Sequence, residues 1–215
     1  TYGSDAESTK AMRIIADHLR TATMLIGDAN GILPSNVGAG YILRRLMRRA
    51  IRYARKLNVG AESLLAIVKE YIENIYGEAY PLLVEKEEYI VSEVNKEIDK
   101  FNKTIEAGTK EFEKVVNGIN RKNQFMKMTN PDFKEETEIG GKAAFRLFDT
   151  FGFPLEMTVE MATEIGFTVD VAGYDEAFKA HQELARSTSA GAFKGGLADD
   201  SAETVRLHTA CHLLL

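Results

Sequence analysis

The sequence predicts an all-α protein: a helical bundle with a long projecting helix, followed by a second small helical subdomain. Two observations favour this class. Apolar residues recur at helical spacing over long segments, and the 215 residues include only four prolines and no tryptophan. With 45% apolar and 27% charged residues, the composition is that of a soluble globular protein, long enough for one large domain or two small ones.

The sequence lacks the features of membrane-spanning, secreted and disulfide-bonded proteins. No uninterrupted apolar run is long enough to cross a bilayer, and the first residues lack the pattern of a signal peptide. The lone cysteine, Cys211, excludes an internal disulfide and fits a reducing cytoplasm. We therefore expect a cytoplasmic protein with no membrane partner. The chain does not begin with methionine and stops within a helical pattern, so we expect a piece of a longer protein.

Three helical patterns make up the first predicted subdomain, residues 1–79. The first pattern covers 8–27 and the third covers 61–76. Between them a turn-rich loop leads into a helix that is rich in arginine. Ser35 or Asn36 is expected to cap this arginine helix, since both residue types accept hydrogen bonds from the amides of a first helical turn.

Residues 80–186 make up the second predicted subdomain. Its long helix, 82–116, has apolar residues at alternating spacings of three and four, which is the heptad pattern of a coiled coil. We expect this helix to pack along a neighbour in the same chain, and an intermolecular coiled coil is the alternative. The remaining elements are expected in this order: a loop or small hairpin at 117–139, a short helix at 142–150, a helix that begins at Pro154, and a helix at 173–186.

One short segment concentrates positive charge in a chain whose formal net charge is −5. Six arginines and one lysine lie between Ile42 and Leu57, and all of them share one face of a helix. No acidic residue accompanies them, and like charges on one face repel unless an anion lies against them. Arginine's planar fork suits phosphate groups. We therefore predict that a polyanion contacts the arginines of this face: Arg44, Arg45, Arg48, Arg49 and Arg52.

Three stretches together resemble the alanine–tRNA ligase (alanyl-tRNA synthetase) family. They are "RIIADHLRTATMLIGDANGILPSNVGAGYILRRLMRRAIRYARKL", "GKAAFRLFDTFGFPLE" and "HTACH". The resemblance implies the helical region that holds the tRNA acceptor stem and the start of an editing domain at 206–215. The residues between them, 187–205, are mostly small and polar, as is typical of a linker. Many family members have a small β-barrel between these two parts. Here only the linker lies between them, which suggests a shortened variant and leaves the placement of the editing domain open.

The family finds its tRNA by a G·U wobble pair, read chiefly by an asparagine and an aspartate. These match Asn36 in "LPSN" and Asp149 in "RLFDT". The minor groove of A-form RNA is wide and shallow, and there the wobble pair leaves the guanine amino group without a Watson–Crick partner. An ionised aspartate accepts from that group, and an asparagine amide both donates and accepts. Without the resemblance, the sequence favours Asn36 as a helix cap, and a turn-forming role for Asp149 is equally ordinary.

Histidine positions give weaker signals. His208 and His212 stand four residues apart, the helical spacing of a zinc pair, and the resemblance makes them the first ligands of the editing domain. Two ligands do not complete a site, and Cys211 is at best an accidental third, so we expect this half-site to be empty. For the full-length enzyme the resemblance implies ATP, magnesium and zinc. His18 is expected to be a core or capping histidine, with RNA contact as the alternative.

We expect the chain to bind tRNA(Ala) and the rest of its own polypeptide, and to catalyse nothing alone. It would belong to a class II aminoacyl-tRNA synthetase whose catalytic domain is absent here, since the sequence has no catalytic dyad, triad or Gly-rich phosphate loop. The alternative is a non-catalytic helical protein-interaction module that uses the basic face and the coiled-coil-like helix. A helix on a lipid surface is less favoured, because the apolar arc has no Trp or Phe. No DNA partner is expected.

Overall fold

The computed structural model describes residues 2–192, and their side chains as far as residue 184. The elements follow in this order: α1 (Ala6–Gly27), α2 (Gly38–Lys56), α3 (Ala61–Glu70) with a π-helical extension (Tyr71–Tyr76), α4 (Pro81–Glu85), α5 (Glu87–Thr129), β1 (Glu138–Ile139), α6 (Gly141–Phe151), α7 (Leu155–Glu164), β2 (Thr168–Val169) and α8 (Val171–Ala192). The predicted all-α class is confirmed. The two strands pair in parallel over two residues each.

The first two helices begin differently. Asp5 caps α1 by accepting a hydrogen bond from the amide of Ser8 at 2.7 Å, and this bond lowers the pKa of Asp5. By contrast, Val37 occupies the N-cap position of α2 without a side-chain hydrogen bond. The expectation that Ser35 or Asn36 caps α2 is therefore wrong. The Asn36 side chain instead accepts from Arg44, a residue two turns into the helix.

The long helix α5 has 43 residues, and its heptad seam packs inside the molecule. It contacts α1, α2, α3 and α6, which confirms the predicted packing along neighbours in the same chain. Five residues of the seam are at most 5% exposed: Val94, Ile98, Phe101, Ile105 and Phe112. They belong to one hydrophobic core that extends from α1 to Phe167 and so crosses the boundary between the two predicted subdomains.

The loop predicted at 117–139 is wrong over its first half, because α5 continues to Thr129. This end of the helix is largely solvent-exposed, so its sequence is polar and shows no apolar period. The buried Asn123 holds the returning chain: its Nδ2 donates to the carbonyl of Glu136 at 2.7 Å, and its Oδ1 accepts from the amide of Glu136 at 3.0 Å. The returning chain then enters β1.

A tight turn joins α6 to α7 and inserts an aromatic ring against α5. Gly152 ends α6 with a positive φ of 71°, and Phe153 follows with 1% exposure. The Phe153 ring meets Phe101 edge-on, with 5.8 Å between the ring centroids. A Cβ atom placed at Gly108 would lie 2.3 Å from Phe153. Within the seam, Gly108 therefore makes room for Phe153.

The last helix, α8, packs on α6. Rings from both helices form one cluster: Phe145, Phe148, Tyr174 and Phe178. The helix includes residues 187–192, which the sequence assigned to the linker. The rest of that linker and the predicted editing segment, 206–215, lie outside the described residues. From residue 2 to residue 192 no helix is long and apolar enough to cross a bilayer.

The contact at Gly108 leads to a stability prediction. Gly108→Ala is expected to lower the free energy of unfolding by about 1–3 kcal/mol, because the added methyl group would overlap the buried Phe153 ring. Urea denaturation followed by circular dichroism measures the change. Gly118→Ala in the same helix is the matched control: no atom of the described residues lies within 4 Å of its added Cβ, so the better helix propensity of alanine should raise stability by up to about 1 kcal/mol. Equal effects at the two positions would contradict the packing argument.

Candidate nucleic-acid interface

A cavity of about 230 Å³ lies between the start of α2 and the end of α6. The residues that line it come from three separate parts of the chain: Asn36, Tyr41, Arg44, Arg48, Lys100, Thr104, Phe148, Asp149, Thr150, Phe151, Gly152 and Pro154. The fold thus brings Asn36 and Asp149, which are distant in sequence, to the wall of one cavity. It also places two of the predicted phosphate-binding arginines, Arg44 and Arg48, in the same wall.

Asp149 lies in the last turn of α6 and is exposed. The negative end of the helix dipole disfavours a carboxylate at this position, so Asp149 does not stabilise α6 through the helix dipole. His181 of α8 approaches it, with 3.7 Å between Nδ1 of His181 and Oδ1 of Asp149. The carboxylate remains open to solvent on its other side, since 46% of the side chain is exposed.

Asn36 is exposed just before α2, and its amide has one end occupied. The carbonyl oxygen of its side chain accepts a hydrogen bond from Nη1 of Arg44. Arg44 also donates from Nη2 to the carbonyl of Pro34 at 3.0 Å. No hydrogen-bond partner of the Asn36 NH₂ group lies within the described part of the chain, so this donor is available at the cavity.

The arginine face of α2 is covered by carboxylates from the same chain. Three glutamates stand one turn apart on α7 and pair with successive basic residues of α2. Glu156 pairs with Arg45, and Glu160 pairs with Arg49 at 2.6 Å and with Arg52 at 3.3 Å. Glu164 pairs with Arg52 and, at 2.9 Å, with Lys56. We call this set the arginine–glutamate ladder. Its glutamates supply negative charge from within the chain, where the sequence predicted an external polyanion.

The like charges of α2 therefore need no external anion, because glutamates of α7 offset their repulsion within the chain. A signal was present in the sequence: Glu156, Glu160 and Glu164 repeat every four residues and so share one helical face. These glutamates lie more than 100 residues from the arginines along the chain, so the sequence did not indicate that the two sets pair.

A second acidic contact lies deeper, where the carboxylate of Glu97 on α5 is 4% exposed. It accepts from Nε of Arg48 at 2.7 Å, and Nε of Arg44 lies 3.3 Å from the same oxygen. Arg48 also donates to the carbonyl of Gly152 and lies 4.9 Å from the centroid of the Phe101 ring. Burial lowers the pKa of Arg48, and Glu97 opposes that shift.

Phosphate binding by the five arginines stays a prediction. The five side chains differ in how far they are exposed to solvent. The side chains of Arg45 and Arg49 are 34% and 35% exposed, whereas those of the other three are at most 11% exposed. Sequence reasoning missed Lys100, which lines the cavity from α5 and is exposed. No carboxylate of the described residues lies within 4.0 Å of its ammonium group. Nothing in the sequence separates Lys100 from the other lysines of that helix.

The remaining candidate residues lie away from the cavity or beyond the described chain. His18 is 8% exposed, which confirms the expected core histidine. Its Nε2 lies 3.3 Å from Nη1 of Arg49, and burial together with the charge of Arg49 lowers the pKa of His18. His208, Cys211 and His212 lie outside the described residues.

Comparison with known proteins settles the family. The family model of class II tRNA synthetases (A) matches residues 1–211. The chain belongs to the alanine–tRNA ligase family. The resemblance seen in the arginine helix and in "GKAAFRLFDTFGFPLE" is thereby confirmed.

Curated members of this family align with nearly the whole chain. The alanine–tRNA ligase of Borrelia hermsii (strain HS1 / DAH) is 45% identical over 214 residues, which is 99% of this chain and 33% of the relative. That of Treponema pallidum (strain Nichols) is 45% identical over 213 residues, with the same coverage of each chain. That of Thermoanaerobacter sp. (strain X514) is 39% identical over 187 residues, 87% of this chain and 20% of the relative. The chain thus spans about a third of the length of the first two relatives.

The arginine–glutamate ladder makes stability depend on pH. Burial raises the pKa of Glu160, but hydrogen bonds from Arg49 and Tyr53 outweigh it, so the pKa lies below the ordinary 4.5. The pKa of Glu164 is lowered in the same way by Lys56 and Arg52 against the effect of burial. A carboxyl group with a lowered pKa in the folded state contributes stability above its ordinary pKa, and that contribution is lost as the pH falls through the lower value.

We therefore expect the free energy of unfolding to fall as the pH drops below 4.5, and Glu160→Gln to flatten this dependence. At neutral pH the same variant should lose about 1–3 kcal/mol, because it weakens charged hydrogen bonds to Arg49 and Arg52. Urea denaturation across a pH series measures both effects. Glu73→Gln, at an exposed residue with no ion pair in the described part of the chain, is the control. A Glu160→Gln variant that keeps the acid slope of the natural protein would contradict this origin.

Proposed function

We propose that this chain holds the acceptor stem of tRNA(Ala) and reads its G·U wobble pair from the minor groove at the cavity between α2 and α6. The observation that carries the proposal is the shared position of Asn36 and Asp149 in the cavity wall. Membership of the alanine–tRNA ligase family makes tRNA(Ala) the partner to test.

The chemistry of the two side chains suits a wobble pair. Asp149 is an exposed carboxylate, which accepts hydrogen bonds and donates none when ionised, so it suits the free amino group of guanine. Asn36 has a free NH₂ donor, which suits the O2 acceptor of the uracil beside that amino group. In a G·C pair one N–H of the guanine amino group bonds to cytosine O2, so only the other N–H is free in the minor groove and the complementarity is weaker. The wide minor groove of A-form RNA lets both short side chains reach one base pair.

Phosphate contacts would position the stem without reading its sequence. Lys100 is the cation best placed for this role, because it lines the cavity and has no carboxylate partner among the described residues. Arg45 and Arg49 are accessible for the same task, although Glu156 and Glu160 already pair with them. Arg44, Arg48 and Arg52 act mainly inside the fold under this proposal.

The wider setting is part of the same proposal. The longer enzyme would charge tRNA(Ala) with alanine, using ATP and magnesium, and its editing domain would hold zinc with His208 and His212 among the ligands. The 215-residue chain would bind RNA without catalysis, in the cytoplasm, and without a DNA or membrane partner. Its contribution to the reaction would be to orient the acceptor end, which lowers the entropic part of the barrier.

The alternative, a protein-interaction module, has less support. It needs a free basic face and a free coiled-coil seam. In the described structure the glutamates of α7 pair with the basic face, and the seam of α5 lies in the hydrophobic core. The seam is therefore not available to a partner helix in this conformation, and an acidic protein would have to compete with the glutamates of α7 for the basic face.

The base-reading proposal is tested with two short RNA acceptor stems that differ only in the wobble position, G·U or G·C. Asp149→Ala and Asn36→Ala are each expected to cost about 1–3 kcal/mol in discrimination between the stems, the usual cost of losing a specific base contact. Fluorescence anisotropy titrations of the full chain with labelled stems measure both affinities. If each variant weakens the two stems equally, the residues do not read the wobble pair.

The phosphate contact is tested through salt dependence. Lys100→Gln should weaken both stems alike and reduce the slope of log affinity against log salt by about 1, as expected for one lost phosphate contact. Titrations at several salt concentrations give the slope. The matched control is Lys110→Gln on the same helix, because that lysine is exposed, pairs with Glu106 at 2.8 Å and does not line the cavity. A slope that Lys100→Gln leaves unchanged would remove Lys100 from the interface.

A further inference from the structure

Glu97 is a buried carboxylate for which the proposed base reading has no direct use. It is 4% exposed and lies on α5, behind the cavity wall. Its two cationic neighbours, Arg44 and Arg48, both line the cavity. Burial of a carboxylate is costly unless charged partners and hydrogen bonds compensate for it. Arg44 and Arg48 each donate a further hydrogen bond at the cavity, to Asn36 and to Gly152 respectively.

Arg44 connects Glu97 to Asn36. A guanidinium group has only donors, so the atom of the Asn36 amide that faces Arg44 must be the oxygen. The hydrogen bond from Nη1 of Arg44 to Oδ1 of Asn36 has this polarity. The NH₂ group then points away from Arg44. The Pro34 carbonyl accepts from Nη2 of Arg44 at 3.0 Å, and the Glu97 carboxylate lies 3.3 Å from Nε of Arg44 as an ion pair without a hydrogen bond. Both contacts favour this position of the guanidinium.

Arg48 connects Glu97 to the turn after Asp149. It donates to the carbonyl of Gly152, the residue that ends α6 three positions beyond Asp149. Gly152 has a positive φ, and a Cβ atom there would lie 2.2 Å from Nη1 of Arg48. The close approach of Arg48 thus needs both the glycine and the fixed guanidinium. Glu97 thus pairs with two arginines, and each arginine contacts one side of the cavity: Arg44 at Asn36 and Arg48 at Gly152.

We propose that Glu97 is a positioning residue for the cavity: through Arg44 it makes Asn36 a hydrogen-bond donor, and through Arg48 it places the turn beside Asp149. This inference rests on the proposed function of the cavity in reading a base pair. It adds that the two readers have opposite polarity, one donor and one acceptor, and that the polarity is set from inside the fold.

The loss of this arrangement would have a defined effect. Without Arg44 in place the Asn36 amide is free to turn by half a rotation, which exchanges its donor for an acceptor. Two acceptors would then face the wobble pair, and the O2 atom of uracil, which accepts from N1–H of guanine within the pair, would receive no hydrogen bond from the protein. Affinity that depends on phosphates would remain, whereas discrimination between the G·U and G·C stems would be lost.

The decisive variant is Arg44→Lys, because it keeps the positive charge and removes the fork that reaches Asn36 and Pro34 together. We expect about a tenfold loss of the affinity ratio between the G·U and G·C stems, with an unchanged salt slope. Arg55→Lys, an exposed position on the same helix that does not line the cavity, is the matched control and should keep the ratio. Anisotropy titrations of the full chain give the ratio and the slope, and circular dichroism checks folding.

Two further variants complete the test. Glu97→Gln should lower the ratio as Arg44→Lys does. If either variant fails to fold, Asn36→Asp decides at an exposed position: it keeps an acceptor for Arg44 and replaces the NH₂ donor by an oxygen, so the ratio should fall as far as in Asn36→Ala. A ratio that a folded Glu97→Gln, Arg44→Lys or Asn36→Asp variant leaves intact overturns the inference. If Asn36→Ala and Asp149→Ala also leave it intact, the proposed function itself fails.

Discussion

The structure depends on the pairing of buried guanidinium groups with carboxylates from distant helices. Arg44, Arg48 and Arg52 on α2 are each less than 10% exposed and would be strongly unfavourable there without compensation. Glu97 compensates the first two and the glutamates of α7 compensate the third. The charges that look like a ligand-binding surface on a helical wheel are largely the internal attachment of α7 to α2.

This attachment has a geometric consequence for the cavity. Asn36 precedes α2 and Asp149 ends α6, so their relative position depends on how the α6–α7 pair is fastened to α2. The arginine–glutamate ladder fastens α7, and Arg48 fastens the turn between α6 and α7 through the Gly152 carbonyl. Phe153 anchors the same turn in the core beside Gly108. Polar and apolar contacts therefore specify one arrangement of the two side chains.

Much of the architecture could be predicted from the sequence, because helical periodicity and turn residues act over a few positions. The boundaries of α1, the seam of α5 and the place of Pro154 between two helices follow from such local patterns. The continuation of α5 to Thr129 did not, since an exposed helix has no apolar period to recognise. The prediction for the cap of α2 also failed, since Val37 occupies the N-cap position and the Asn36 oxygen accepts from Arg44 instead.

By itself, the sequence determined the all-α class, the family resemblance and the identity of Asn36 and Asp149 as candidate readers. Only the tertiary structure decided that these two residues share a cavity, that Lys100 joins them, and that carboxylates already cover the arginine face. The physical reason is range. Periodicity and motifs report on neighbours within a few turns, whereas charge pairing between α2, α5 and α7 joins residues that the sequence keeps far apart, and no local pattern states which distant partner compensates a buried charge.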